Sequence, residues 1–178
     1  MKNFQIGFVC SGNICRSPMA EYMFKSIIPP GWKNMTRIES AGTLGITGAP
    51  AAQEAIQVLR EIEIDLTPHS SRGIDLEWLK RMDLVFVMSQ EHIDFIENEY
   101  PQEKSKVFRL REYARNAADQ DADYDIADPV GLSLDVFRAT REQINDELLR
   151  ILPVLSARIE GNESRAPKKN GWFKWIKK

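Results

Sequence analysis

The sequence predicts an α/β fold of three layers: a four-stranded parallel sheet with helices on both faces. Three observations carry that expectation. Short apolar runs of strand length alternate with stretches of helical spacing, the pattern of strands joined by crossover helices. Two of those runs, residues 4–9 and 84–88, are apolar almost throughout rather than alternating, as strands buried on both faces are. A length of 178 residues suits one domain with a sizeable core.

Taken in order, residues 4–9 form the first strand, which stops at Cys10. Ser17-Pro18 opens a helix through Met19, Ala20, Met23 and Phe24, since proline suits a first turn where its missing N–H has no partner. Pro29-Pro30-Gly31 ends it. A short strand is expected over 35–40, and the glycine-bearing stretch 42–50 is a loop whose place after a strand sets it near Cys10. Residues 51–62 have a helical spacing of apolar side chains, which Thr67-Pro68-His69 breaks. A short helix over 75–80 has Asp75 as its cap. Residues 84–88 make the third strand, and Ser89 caps a helix that runs through Ile96 to Tyr100 before Pro101. The fourth strand falls at 106–110, an acidic loop at 116–128, and a long helical face at 134–159, interrupted by Pro153. No internal repeat is visible.

Composition excludes several classes of function. The net charge of −2 gives no general pull toward nucleic acid. Residues 161–178 nevertheless carry six basic residues against Glu163, a net charge of +5, so residues 1–160 carry −7. Met1-Lys2-Asn3 runs straight into the first strand without a signal-peptide pattern, and no apolar run approaches the ~20 residues of a membrane span. Both cysteines, Cys10 and Cys15, lie in one loop. There is no disulfide scaffold, and a reducing cytoplasm is the expected compartment. Asp119, Asp121, Asp123 and Asp125 imitate a calcium loop but lack glycine at the sixth position and glutamate at the twelfth. They read as a solvated acidic loop, and no metal site is expected.

The chemistry concentrates in Cys10-Ser11-Gly12-Asn13-Ile14-Cys15-Arg16-Ser17-Pro18, between the first strand and the first helix. Backbone N–H groups in such a loop converge on one point, and the helix dipole adds positive potential, so the loop suits an anion. Arg16 offers a planar fork for two phosphate oxygens. A cysteine beneath that anion experiences the same field, which can lower a thiol from ~8.5 to ~3.5–7.5 and make Cys10 a nucleophile. Asn13 tolerates the positive φ a tight loop needs. Ser17 is either a helix cap or a hydroxyl donor to the Cys10 sulfur, and the two are compatible. Asp128, held by Pro129, is either one more solvated acid or a proton donor brought over Cys10. His92 lies on a polar helix face and reads as structural only.

This stretch resembles the phosphate-binding loop of the low-molecular-weight protein tyrosine phosphatases. Ser40-Ala41-Gly42-Thr43, His69 and Asp128-Pro129 fall where that family has similar features, so the likeness spans residues 4–155. It implies a flavodoxin-like strand order, the phosphatase loop after the first strand, and a cofactor- and metal-independent enzyme that acts on phosphorylated protein. Cys10 becomes phosphocysteine, Arg16 holds the phosphate, and Asp128 protonates the leaving group. His69 would hydrogen-bond Asn13, and Cys15 is either a buried small residue or the disulfide partner of Cys10 under peroxide. Val130-Gly131 and Ile46 stand where phosphotyrosine-specific relatives carry aromatics. Asp-Pro-x-Gly-x-Ser, residues 128–133, resembles protein-arginine phosphatases of the same fold, although they carry threonine where this chain has Ile14. A thioredoxin-coupled arsenate reductase needs further cysteines downstream, and none follows Cys15. A non-catalytic phosphate-binding module is the remaining class.

The expected organisation is a phosphatase domain over 1–160 and a tail over 161–178. Gly161 to Pro167 reads as a flexible linker. Trp172, Trp175 and Ile176 share one helical face and Lys174, Lys177 and Lys178 the other, a pattern suited to peripheral docking on a membrane or a protein. A disordered tail, or one folded back on the domain, is the alternative.

Overall fold

The computed structural model describes residues 3–115 and 123–160. Its sheet has four parallel strands in the order β2-β1-β3-β4, with β1 at Phe4–Cys10, β2 at Thr36–Gly42, β3 at Leu84–Val87 and β4 at Val107–Arg109. Among the described residues the α-helices are α1 (Arg16–Ile27), α2 (Gln53–Arg60), α3 (Leu76–Arg81), α4 (Gln90–Glu99) and α5 (Leu134–Ile159).

The two faces of β1 separate the helices. Ile6, Phe8 and Cys10 point with Leu84, Phe86 and Met88 into a cluster with α1, α2 and α5. Val9, Val85 and Val87 point the other way, toward Trp78, Leu79 and Ile96 of α3 and α4. This period-two division is why central strands read as continuous apolar runs: both faces are core. Gly7 sits on the α3 face, where a Cβ would lie 2.6 Å from the Trp78 ring, so the ring packs flush against the strand only over glycine. Asp75 caps α3 as expected, its carboxylate accepting from Trp78 N at 2.7 Å.

Three expectations change. α5 is not interrupted: it continues through Pro153 to Ile159. Pro153 is on the solvent face, as is Leu149, the residue whose carbonyl loses its N–H donor, so water can take that place. Asp125 is not simply solvated, because it accepts from Gln90 N at 2.9 Å and thereby caps α4. His92 is not on a polar surface; it is 1 % exposed. Asp119, Asp121 and the whole tail from Gly161, including Trp172, Trp175, Ile176 and its lysines, lie outside the described residues. No helix among the described residues is long and apolar enough to cross a membrane.

Candidate active site

β1 delivers Cys10 to the carboxyl edge of the sheet, and the chain turns at once into the loop that opens α1. Ligands in open parallel sheets collect at that edge. The loop is braced from β2: Thr43 N donates to Cys10 O at 3.0 Å and Leu44 N to Ser11 O at 2.9 Å. A Cβ on Gly42 would stand 2.6 Å from Ser11 O and 2.9 Å from Asn13 N, so only glycine lets β2 approach this closely. Asn13 adopts φ 55°, the positive value its residue type tolerates. The N–H groups of Gly12 to Cys15 find no protein acceptor among the described residues, which leaves them as donors for an anion.

Beneath the loop, side chains form a chain of hydrogen bonds whose direction is set at Asn13. Arg72 N donates to Asn13 Oδ1 at 2.9 Å, which fixes the amide. Asn13 Nδ2 then donates to Ser40 Oγ at 2.8 Å and to Ser17 Oγ at 2.9 Å. Ser40 O–H donates to the Glu21 carboxylate. Ser17 Oγ accepts from Asn13 and lies 3.0 Å from Cys10 Sγ and 3.4 Å from Ala41 O, so its one O–H has the sulfur as the nearer of two acceptors. Ser17 is therefore not the cap of α1; Cys15 holds that position, without a side-chain hydrogen bond. His69 does reach Asn13, but at its backbone oxygen, 2.7 Å from Nε2. Cys15 is 3 % exposed, and burial pushes its thiol up to about 12, so it stays neutral.

Arg16 is 2 % exposed. Its Nη1 donates to Ile126 O at 2.9 Å, its Nη2 to Ser11 Oγ at 3.1 Å and to the Asp128 carboxylate, while Nε is buried with no protein partner. Asp128 is thus beside the phosphate loop, held against Arg16, and Val130 N donates to its other oxygen at 3.1 Å. Asp128 remains partly exposed, and its pairing with Arg16 sets it apart from a merely solvated loop acid. Exposed aliphatic residues adjoin the loop: Ile46, whose Cδ1 would lie 3.7 Å from a Cβ on Gly12, Leu44, whose N donates to Ser11 O, and Val130 beside Asp128.

A family model described as low molecular weight phosphotyrosine protein phosphatase matches residues 5–163. The chain belongs to this family. Among the relatives of this low-molecular-weight phosphatase, a protein-arginine-phosphatase of Bacillus subtilis is 37% identical over 145 residues, covering 82% of this chain and 91% of its own. The low molecular weight protein-tyrosine-phosphatase Ptp of Acinetobacter johnsonii is 44% identical over 102 residues, 57% of this chain and 68% of its own. A solved arginine phosphatase variant with a phosphorylated active-site serine superposes with a TM-score of 0.79 at 33% identity, covering 88% of this chain and 99% of its own.

Sequence reasoning missed Glu21 and Arg72, which brace Asn13 and Ser40, and it missed His92. His92 Nε2 lies 3.0 Å from Ser11 Oγ, and its Nδ1 accepts from Ser89 N at 3.1 Å. The available signal was the spacing Ser89-x-x-His92, in which the third residue of the helix reaches back to the capping residue as glutamate or glutamine commonly does.

Proposed function

We propose that the chain is a cysteine-dependent protein tyrosine phosphatase acting through a phosphocysteine, with Cys10, Arg16 and Asp128 as its working groups. The observation that carries this reading is the pairing of Cys10 Sγ with Ser17 Oγ at 3.0 Å below a loop of unused N–H donors. Cys10 attacks phosphorus, an S–P bond forms, and the P–O bond to the phenol breaks. A phenolate of pKa near ~10 leaves poorly without a proton, which Asp128 supplies. Water then attacks the phosphocysteine, Asp128 takes its proton, and inorganic phosphate departs with the thiolate restored. Ser17 O–H stabilises that departing sulfur, while Arg16 and the loop amides hold the transition-state charge. The Arg16–Asp128 pair gives the first step a natural trigger: an incoming phosphate competes for Arg16 Nη2 and frees Asp128, which takes up a proton from solvent before it turns to the leaving oxygen.

Turnover tests these roles. Cys10→Ser loses phosphatase activity entirely, whereas a binding module would keep its phosphate affinity. Asp128→Ala slows phenyl phosphate at least a hundredfold and an activated aryl phosphate less than tenfold; equal slowing removes the proton-donor role.

Arginine phosphatase activity is the second reading, favoured by the names of relatives such as that of Bacillus subtilis. Ile14 opposes it, because an aliphatic side chain in the loop offers no hydrogen bond to a guanidinium or a water. Phosphotyrosine and phosphoarginine peptides compared on one preparation decide it, and an excess on the second would replace the tyrosine assignment. Cys15 as resolving partner of Cys10 is testable by peroxide treatment: Cys15→Ser then loses thiol-reversible recovery. The neutral, buried Cys15 thiol makes that closure slow. For the tail, the pattern of Trp172, Trp175, Ile176 and the lysines supports docking on an anionic membrane, and the full chain then co-sediments with phosphatidylserine vesicles where residues 1–160 do not.

A further inference from the structure

We propose that His92 is a positioning residue which, through Ser11, holds the Arg16 guanidinium in its phosphate-binding pose. The inference rests on the phosphatase reading of the loop. Ser89 N–H can only donate, and it points at His92 Nδ1. The neutral ring therefore carries its proton on Nε2 and donates it to Ser11 Oγ. Arg16 Nη2, also only a donor, points at the same oxygen. Both lone pairs of the hydroxyl are then occupied, so its own O–H remains as a donor. The protein acceptor within reach is the exposed Glu91 Oε1, at 3.5 Å. Ser11 is thereby locked in one orientation between α4 and Arg16.

The lock matters most when Asp128 is away. Nη2 is shared between Ser11 and Asp128, and the proposed reaction requires the carboxylate to leave for the departing oxygen. Ser11 is then the remaining protein partner of Nη2 among the described residues, and His92 is what keeps Ser11 in place. Ser11 and His92 lie 81 residues apart, so α4 must dock correctly for the loop to be rigid.

A double-mutant cycle with Ser11→Ala and His92→Phe tests the proposal, read by the affinity for inorganic phosphate in calorimetry and by kcat/KM on phenyl phosphate. Each single change weakens phosphate about tenfold, and the double variant is no worse than Ser11→Ala by itself. His92→Gln, which keeps the reach to Ser89 N and an N–H donor, regains most of the affinity. Additive losses, or a His92→Phe that lowers only Tm, would overturn it. Should His92→Phe not fold, unchanged phosphate affinity in Ser11→Ala would overturn it as well. Phosphate affinity reads the lock even in a chain without turnover, so failure of the phosphatase reading and of this inference are separable.

Discussion

Single side chains at this site are governed by burial and by the direction of their hydrogen bonds. Burial pushes His92 down to about 4, with the Arg16 charge acting in the same direction and Asp128 and Asp125 opposing it. Because the folded value lies below the ordinary 6.5, the unfolded chain takes up the proton first as pH falls. The stability that neutral His92 contributes is complete above pH 6.5 and is lost as pH drops toward 4, about 3 kcal/mol in all. Urea unfolding at pH 7 and pH 4.5 measures this: His92→Gln should lose less stability over that interval than the wild type, and an equal loss would exclude the histidine as its source. The placement of Cys10, Arg16 and Asn13 in one loop was legible because it follows from neighbours within nine residues of chain. His92 was not, since a histidine among Gln90, Glu91 and Asp94 has the local pattern of a wetted face.

At the level of elements, the tight contact between β2 and the phosphate loop carries the most strain on substitution. Gly42→Ala would drive a methyl group into Ser11 O and Asn13 N, both of them backbone atoms with little room to yield. The expected outcome is a stability loss of about 1–3 kcal/mol together with at least a tenfold fall in kcat/KM, read by thermal unfolding and phenyl phosphate turnover. Element existence was largely legible from periodicity: all four strands and all five helices appear near their expected positions. Where reading along the chain failed, the cause was surroundings. Pro153 reads as a break in any isolated helix, yet its exposed position lets α5 pass through it. Asp125 reads as loop acid, yet it is spent on the first N–H of α4.

Over the whole molecule, the sheet is clamped between two apolar clusters, and the larger one ends at the loop between β1 and α1, since Cys10 and Cys15 belong to it. Phe86 sits at its centre, with ring centroids 5.7 Å from Phe8 and 5.0 Å from Tyr113. Phe86→Ala should cost about 3–5 kcal/mol and lower Tm by roughly 10 °C for a domain of this size; a shift under 3 °C would mean the cluster closes over the gap. The amino-acid sequence by itself determined the strand-loop-helix that cradles an anion, because cysteine, glycine, asparagine and arginine lie contiguous there and their backbone and charge preferences act locally. Only the tertiary structure decided which distant groups complete that cradle: Asp128 against Arg16 across 112 residues, His92 against Ser11 across 81, Ser40 against Asn13 across 27. Those partnerships come from how helices and loops pack at one edge of the sheet, and packing is a property of the folded chain that no local pattern encodes.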